Sequence, residues 1–326
     1  MHRRTLLTAM ATAPLATAPL GSLRAQPAWP TQSVRLVVPF AAGGPTDIPA
    51  RMLAEELSKR LPQRVVVENR TGAGVVVGSD VVAKAPKDGN TLLYNTVAHS
   101  VLRGLFPQLP FDPIADFAPV ALLGQIPLVL LVNKDVPAQT MPELLALLRA
   151  NPGKYDYASS GNGGAVHLGT ELMLKRAGVR ANHVPYRGTG AVMPDLLAGR
   201  VAIYMDVAAT GLSYAARGDV RALAISAGQR IPQAPQLPTF AECGVADAES
   251  YTWHMVLAPA GTPAEVVQAA NHAFNEVMKL PPVQQKLADM AMLVRSDTTP
   301  ASARAYLLSE IAKWEAIIRE AGIKVE

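Results

Sequence analysis

Short runs of β-branched and other apolar residues alternate with helical patterns from residue 34 onward. Apolar runs bounded by loops predict buried strands, and apolar positions at turn spacing predict the helices between them. Strands are predicted over residues 34–40, 65–68, 91–95, 128–132, 155–158, 183–186, 201–205, 221–225 and 255–258. Helices are predicted from about residue 48 to Leu57 and over residues 76–83, 140–150, 166–177, 263–278 and 301–321. This alternation indicates an α/β fold with parallel sheets.

The alternation breaks once and then restarts, which indicates two lobes. Four prolines between residues 107 and 119 predict a surface connection, and the pattern begins again near residue 127. The last strand and the C-terminal helices return to the first unit. We therefore predict lobe one over residues 26–126 and 251–326, and lobe two over residues 127–250. In such a hinged arrangement, a ligand lies in the cleft between the lobes.

The first 25 residues differ from the rest of the chain. Arg3 and Arg4 form a basic start, an Ala/Leu/Thr/Pro stretch follows, and Ala25 provides a small residue before a cut. The first acidic residue is Asp47. This layout predicts a cleavable signal peptide over residues 1–25 and a periplasmic mature protein. The arginine pair leaves both the Sec and the twin-arginine export routes open.

Composition narrows the classes of function. Three of the 30 basic residues lie in the first 25 residues, which leaves 27 against 26 acidic residues. No basic run remains in the mature chain, so nucleic-acid binding is disfavoured. The single cysteine, Cys243, cannot form an internal disulfide. The histidines are not spaced as zinc ligands, and neither a metal nor another cofactor is expected.

Two loops carry the candidate chemistry, each at the carboxyl end of a predicted strand and before a predicted helix. Loop one is residues 41–47 (Ala-Ala-Gly-Gly-Pro-Thr-Asp), and loop two is residues 159–164 (Ser-Ser-Gly-Asn-Gly-Gly). Helix N-termini carry unpaired backbone N–H groups and partial positive charge, and glycines let a ligand approach the backbone closely. One loop from each lobe could hold a carboxylate from both sides. Both loops could equally be tight turns without a ligand.

Two further motifs suggest other chemistry but match it poorly. Gly72, Gly74 and Gly78 are spaced one residue wider than the dinucleotide-binding fingerprint, and no P-loop lysine follows them. Residues 224–228 resemble the nucleophile elbow of a serine hydrolase around Ser226, with alanine in place of the first glycine. A plain strand end is the simpler interpretation of that segment.

Asp206 and the pair Trp253–His254 are candidates of a different kind. Asp206 ends an apolar strand, where it either faces a ligand or caps the following helix. If it faces the cleft, its charge favours a ligand with an ammonium group or another hydrogen-bond donor and disfavours a dianion. Trp253 and His254 lie near the predicted hinge, where they either line the cleft or pack in the core.

The same residues carry a resemblance to a known family. The chain resembles the Bug family, the substrate-binding proteins of tripartite tricarboxylate transporters, in segments that follow the family's order over almost the whole mature chain. The matching segments are residues 39–47, 50–51, 65–74, 85–89, 157–163, 183–188, 195–199, 235–239 and 257–263. Loop one departs from the usual Pro-Phe-Pro-Pro-Gly-Gly by its two alanines, and Ile48 and Pro49 also depart from the common pattern.

The resemblance implies a two-lobed type II periplasmic-binding-protein fold and a solute-binding protein rather than an enzyme. It also implies a carboxylate held mainly by backbone amides and water in the two loops, with Asp206 meeting the amino group where the ligand is an amino acid. The expected partners are a small carboxylate and the membrane subunits of the transporter, and a monomer is expected. The candidate ligand-binding residues are Phe40, Ala42, Gly43, Gly44, Asp47, Ser159, Ser160, Gly161, Asn162, His167 and Asp206.

The residues leave the ligand and two other functions open. Organic acids, aromatic acids and amino acids all remain candidate ligands. A sensor that presents its ligand to a membrane receptor kinase is one alternative function, and a serine hydrolase acting through Ser226 or Ser159 is another. Turnover of an ester with covalent labelling of a serine would indicate the hydrolase, whereas stoichiometric capture would indicate a binding protein.

Overall fold

Three parallel strands and the helices between them form the first part of the fold. The computed structural model describes residues 29–324, so the predicted signal peptide lies outside the described residues. The first elements are β1 (Val34–Val38), α1 (Asp47–Ser58), β2 (Val65–Asn69), α2 (Val76–Ala83), β3 (Thr91–Thr96) and α3 (Leu102–Leu105), with 3₁₀ turns at Ala73–Val75 and Val97–His99. β1 pairs in parallel with both β2 and β3. The valine-rich β1 and β2 suit a pleated, buried sheet, and both were predicted to within two residues.

A second parallel set of strands follows. Its elements are β4 (Phe117–Val132), α4 (Met141–Ala150), β5 (Asp156–Ser159), α5 (Ala165–Ala177), β6 (Asn182–Pro185), α6 (Thr189–Leu197), β7 (Ile203–Val207), α7 (Ala208–Ala216) and β8 (Arg221–Ile225). β5 pairs in parallel with both β6 and β7. The sequence did not predict α6 and α7, because Gly190, Pro194 and Gly211 interrupt their helical pattern. Tertiary packing forms both helices in spite of these residues.

The chain then returns to the first sheet. The remaining elements are β9 (Tyr251–Pro259), α8 (Ala264–Met278), α9 (Pro281–Asp289), β10 (Leu293–Val294) and α10 (Pro300–Ala321). β9 runs antiparallel between β3 and β4. The strand order is β2–β1–β3–β9–β4–β7–β5–β6, with β8 and β10 also paired to β4. The sheets are therefore mixed, and the prediction of parallel sheets is wrong where β4 and β9 run antiparallel to their neighbours.

The long strand β4 passes from one half of the molecule to the other. Residues 117–127 pair with β9, and residues 128–132 pair with β7 and β8. The sequence prediction assigned a strand only to the second part and a surface connection up to residue 119. The first part was missed because a proline usually ends a strand. Pro119 is tolerated here because the register with β9 shifts at this position, where the missing N–H is not needed.

The buried residues group into separate cores, and the two lobes can be defined by them. Lobe one has the core clusters around β1–β3, β9 and α10, and lobe two has the cluster around β5–β8. Helix α5 belongs to both: Leu168 and Leu172 pack into the core of lobe one, and Met173 and Leu174 pack into that of lobe two. Helix α5, which follows loop two, is thus packed against both lobes.

Ser226 ties together the two segments that cross between the lobes. Its Oγ accepts a hydrogen bond from Leu128 N–H at 2.8 Å and donates one to the Ser250 carbonyl. The Ser226 N–H also donates to the Leu128 carbonyl, at 2.9 Å. The side chain is fully buried. This fully bonded hydroxyl joins β4, the end of β8 and the start of β9, and it is not available as a nucleophile.

The three tryptophans are all buried in lobe one. Trp253 and Trp314 both donate their indole N–H to the same oxygen of Glu310, each at 3.0 Å, and Trp29 donates to the Gly89 carbonyl at 2.9 Å. His254, the neighbour of Trp253, lies 2.9 Å from the Tyr94 hydroxyl through Nδ1 and is also buried. The possibility that Trp253 and His254 line a cleft is therefore wrong, since both pack in the core. Within residues 29–324, no helix has the length and apolar character needed to cross a bilayer.

Candidate ligand-binding site

A cleft of about 500 Å³ lies where loop one faces the start of α5. The lining residues from lobe one are Phe40, Ala41, Gly44, Pro45, Thr46, Gly74, Val75, Thr96, Val97, Ala98, Val101, Leu105, Phe106 and Thr252, and those from lobe two are Asn162, Gly163, Gly164 and Ala165. None of the lining side chains is charged. The volume lies within the range of small-molecule sites, and the wall is mostly apolar with a few polar groups, as such sites usually are.

Loop one is held in place by Asp47, the first residue of α1. One Asp47 oxygen accepts hydrogen bonds from Gly43 N–H at 2.8 Å and from Arg51 Nε at 2.7 Å, and the other accepts from Asn69 Nδ2 at 2.8 Å. Gly43 has a φ of 77°, a left-handed conformation that favours glycine. Burial by itself would raise the pKa of Asp47, but the bonds from Arg51, Gly43 and Asn69 hold that pKa below its usual value. The charged Asp47 carboxylate thus fixes the conformation of loop one.

The contacts that Asp47 makes leave several backbone N–H groups of loop one without a partner in the protein. Within residues 29–324, the N–H groups of Ala41, Ala42 and Thr46 donate no hydrogen bond to the protein. Ala41 and Thr46 line the cleft, and Thr46 immediately precedes α1. Free N–H groups at the start of a helix attract anions without a cationic side chain. Loop one therefore has the chemistry of an anion-binding wall.

Two stacked histidines, His167 and His183, support loop two from inside lobe two. His167 Nδ1 accepts a hydrogen bond from Gly163 N–H at 3.0 Å, and its ring lies 3.7 Å, centroid to centroid, from that of His183. Accepting at Nδ1 requires that Nδ1 be unprotonated. Burial, assisted by the neighbouring His183, lowers the pKa of His167 to about 3, so the imidazole is neutral. His167 therefore positions loop two from inside lobe two and does not line the cleft.

Ser159 and His183 form a contact that resembles part of a catalytic triad. Ser159 Oγ lies 2.7 Å from His183 Nε2 and also bonds with Gly161. Ser159 is fully buried. Within residues 29–324, no carboxylate hydrogen-bonds to the other nitrogen of His183, the third contact that a triad requires. The contact instead fixes the conformation of loop two.

Asp206 joins the beginnings of two helices in lobe two. One oxygen accepts from Val207 N–H at 2.9 Å and from the Tyr204 hydroxyl at 3.2 Å, and the other accepts from Thr210 Oγ1 at 2.6 Å. Thr189, at the start of α6, lies 3.4 Å from the first oxygen. Burial raises the pKa of this carboxyl, in spite of the hydrogen bonds. Asp206 is fully buried and does not line the cleft, and it does not cap α7 either, because the N-cap of that helix is Val207, which makes no side-chain cap bond.

The structure brings together part of the predicted set of ligand-binding residues. Phe40 and Gly44 of lobe one and Asn162 of lobe two line the same cleft. Ala42, Gly43, Ser160 and Gly161 belong to the two loops but do not line the cleft, and the buried Asp47, Ser159, His167 and Asp206 lie behind its walls.

Sequence reasoning missed a second wall of the cleft. Its residues are Gly74, Val75, Thr96, Val97, Ala98, Val101, Leu105, Phe106 and Thr252. The glycines near residue 74 were noted only as a failed nucleotide fingerprint. Their position directly after a strand was a usable signal, because ligand-contacting loops in α/β proteins lie at that place.

Two lobes, an interlobe cleft of this size and unpaired backbone donors at its edge define a solute-binding receptor, a protein that encloses a small molecule. The family profile for tripartite tricarboxylate transporter family receptors matches residues 49–323. The chain therefore belongs to this receptor family, whose members are periplasmic solute-binding proteins and not enzymes. This result confirms the resemblance found in the sequence and rules out the serine hydrolase.

Individual relatives cover nearly the whole chain. Protein BugT of Bordetella pertussis is 35% identical over 318 residues, which is 96% of this chain and 96% of BugT. A solved R. palustris protein with adipate is similar with a TM-score of 0.77 and 34% identity, over 91% of this chain and 100% of that one. MatC from Rhodopseudomonas palustris with bound malate has a TM-score of 0.74 and 32% identity, over 89% and 100%. These structures confirm the two-lobed α/β fold.

Proposed function

We propose that this chain captures a small carboxylate in the interlobe cleft and delivers it to the membrane subunits of a tripartite tricarboxylate-type transporter. One observation carries the proposal: unpaired N–H groups of loop one and the N-terminus of α5 border the same uncharged cleft. Backbone donors at helix starts favour an anion. The adipate and malate complexes of two relatives support a carboxylate as that anion.

In the proposed site, the predicted ligand-binding residues have different roles. Phe40, Gly44 and Asn162 line the cleft beside the carboxylate, and Ala42, Gly43, Ser160 and Gly161 complete the backbone of the two loops. Asp47 and His167 set the conformation of the loops from behind, and Ser159 and Asp206 do the same within lobe two. We propose no metal or cofactor; residues 29–324 contain no group of three potential metal ligands.

We also propose how the receptor reaches its place of action. Residues 1–25 direct export by the Sec or twin-arginine route and are then removed. The mature protein works as a monomer whose lobes are residues 26–126 with 251–326, and residues 127–250. Closing these lobes about the crossing segments encloses the ligand.

The first prediction concerns the glycines at the two edges of the cleft. Gly44→Leu and Gly164→Leu should each weaken carboxylate binding about tenfold to a hundredfold, because the side chain blocks one or two charge-assisted hydrogen bonds of about 1.5–3 kcal/mol each. Neither glycine has a left-handed φ, and the added Cβ would lie 3.3 Å from Ala41 O and 3.5 Å from Gly161 O, respectively. Both variants should therefore fold.

A thermal-shift screen of small carboxylates on the mature protein should identify a ligand, and calorimetry should then measure its affinity for each variant. Ala146→Leu, on the exposed side of α4, is the matched control and should bind like the wild type. Unchanged affinity in both folded leucine variants at the cleft would reject the shared anion site.

A further inference from the structure

We propose that the ligand is a carboxylate with an apolar body, an aromatic ring or an alkyl chain, and with a single anionic end. This inference rests on the proposed function and narrows it to one chemical class. The sequence left organic acids, aromatic acids and amino acids open. The wall of the cleft that sequence reasoning missed distinguishes among them.

Most of that wall is apolar. Val97, Val101 and Leu105 follow one another at intervals of four residues, so that they fall on one face of consecutive turns. Each is at least nine-tenths buried in the core of lobe one, and each borders the cleft. Side chains packed in a core are fixed in position, so they present a rigid surface to a ligand.

Phe106 and Val75 continue the same surface. A Cβ on Gly74 would lie 2.9 Å from Cζ of Phe106, so the absence of a side chain at Gly74 lets the phenyl ring lie against the backbone. Phe40 closes the wall on the side of loop one. Burying a ring or an alkyl chain against such a wall is favourable in proportion to the apolar area removed from water.

The charges around the cleft favour a single anionic end. No lining side chain is charged, and Asp47 and Asp206 are buried behind the walls with protein donors already in place. In the proposed site, the unpaired N–H groups of loop one and the N-terminus of α5 hold the same carboxylate. A second or third carboxylate on the ligand would face the apolar wall, where an unpaired charge is strongly disfavoured. The ammonium of an amino acid likewise finds no lining carboxylate.

Calorimetry on the mature protein with four probes tests the inference. Phenylacetate and hexanoate combine one carboxylate with an apolar body, whereas malate and citrate carry two and three carboxylates and no apolar body. At least one of the first two should bind ten times or more tightly than either of the others. If malate or citrate binds as tightly as the apolar acids, this inference is overturned and the proposed function stands. If no probe binds at millimolar concentration, this inference is overturned, whereas the proposed function is decided by the wider carboxylate screen and the leucine variants.

A substitution in the wall provides the second test. Val97→Thr keeps the shape of the side chain and places a hydroxyl on the apolar surface, so affinity for the apolar acid should fall about tenfold, which corresponds to about 1.4 kcal/mol. Val283→Thr, on the buried face of α9 and outside the cleft, is the control for a buried Val→Thr change and should keep full affinity. Equal affinities in these two variants would contradict the apolar wall as a ligand contact.

Discussion

Two buried aspartates lie behind the walls of the cleft, and their hydrogen-bond partners differ. Asp47 accepts from the Arg51 guanidinium and from Gly43 N–H, whereas Asp206 accepts only from hydroxyls and one backbone N–H. Burial opposes the charge of both. The nearby cation and hydrogen bonds outweigh it at Asp47, whose pKa is lowered, and burial prevails at Asp206, whose pKa is raised. The two carboxylates therefore support the fold in different ways.

Asp206→Asn should destabilise the protein without changing carboxylate binding. An amide cannot accept from all the donors around position 206, so the free energy of unfolding should fall by about 1–3 kcal/mol. The affinity for a carboxylate should stay within about threefold of wild type, because the side chain does not line the cleft. Urea unfolding and calorimetry measure the two quantities, and Asp289→Asn at the exposed end of α9 is the control. Selective loss of amino-acid binding would instead place Asp206 at the ligand.

The crossing of β4 between the lobes depends on the hydroxyl of Ser226. In Ser226→Ala, the N–H of Leu128 and the carbonyl of Ser250 each lose a buried partner. We expect the free energy of unfolding to fall by about 1–3 kcal/mol, as measured by chemical denaturation. Ser213→Ala removes an exposed hydroxyl on α7 and should change it by no more than about 0.5 kcal/mol. Equal stability of the two variants would show that the Ser226 bonds are dispensable.

The elements that sequence predicted well are those whose pattern is local. β1 and β2 consist largely of valines, and α4 begins with Thr140 accepting from Glu143 N–H, a helix start that is visible in the sequence. The first half of β4 was missed because Pro119 breaks a strand unless a bulge in the partner register accommodates it. That accommodation is supplied by β9, more than a hundred residues away along the chain.

Like the fold, the candidate site was predictable from the sequence where its pattern is local. Loops one and two are visible because glycines and polar residues follow predicted strands and precede predicted helices. The wall from Val97 to Leu105 was not predictable, since apolar residues at intervals of four indicate core packing equally well. Only the packing of β9 and α10 against this segment shows which face is left bordering the cleft.

Over the whole molecule, buried histidines should make stability depend on pH. Burial lowers the pKa of His99 and His254 to about 4 and that of His167 to about 3. In the unfolded chain these groups titrate near 6.5. Below that pH the unfolded chain binds protons that the folded protein does not bind, so stability falls as pH falls from about 6.5 toward 4. Each histidine contributes up to about 1.4 kcal/mol per pH unit.

Urea unfolding at pH 7.5, 6.5, 5.5 and 4.5 measures this dependence. The midpoint should be nearly constant between the first two values and should fall steeply below them. Replacing His272 with glutamine is the control and should leave the profile unchanged, because this histidine is exposed on α8 and packs in no core. A midpoint at pH 4.5 equal to that at pH 6.5 would contradict neutral, buried histidines.

The positions of the tryptophans determine what intrinsic fluorescence reports. Trp29, Trp253 and Trp314 are the only three in the chain, and all belong to the cores of lobe one. Buried indoles emit at short wavelength and are shielded from ionic quenchers. The emission spectrum should therefore report whether lobe one is folded. Neither lobe two nor the lining of the cleft contains a tryptophan that would report the unfolding of lobe two or the binding of a ligand.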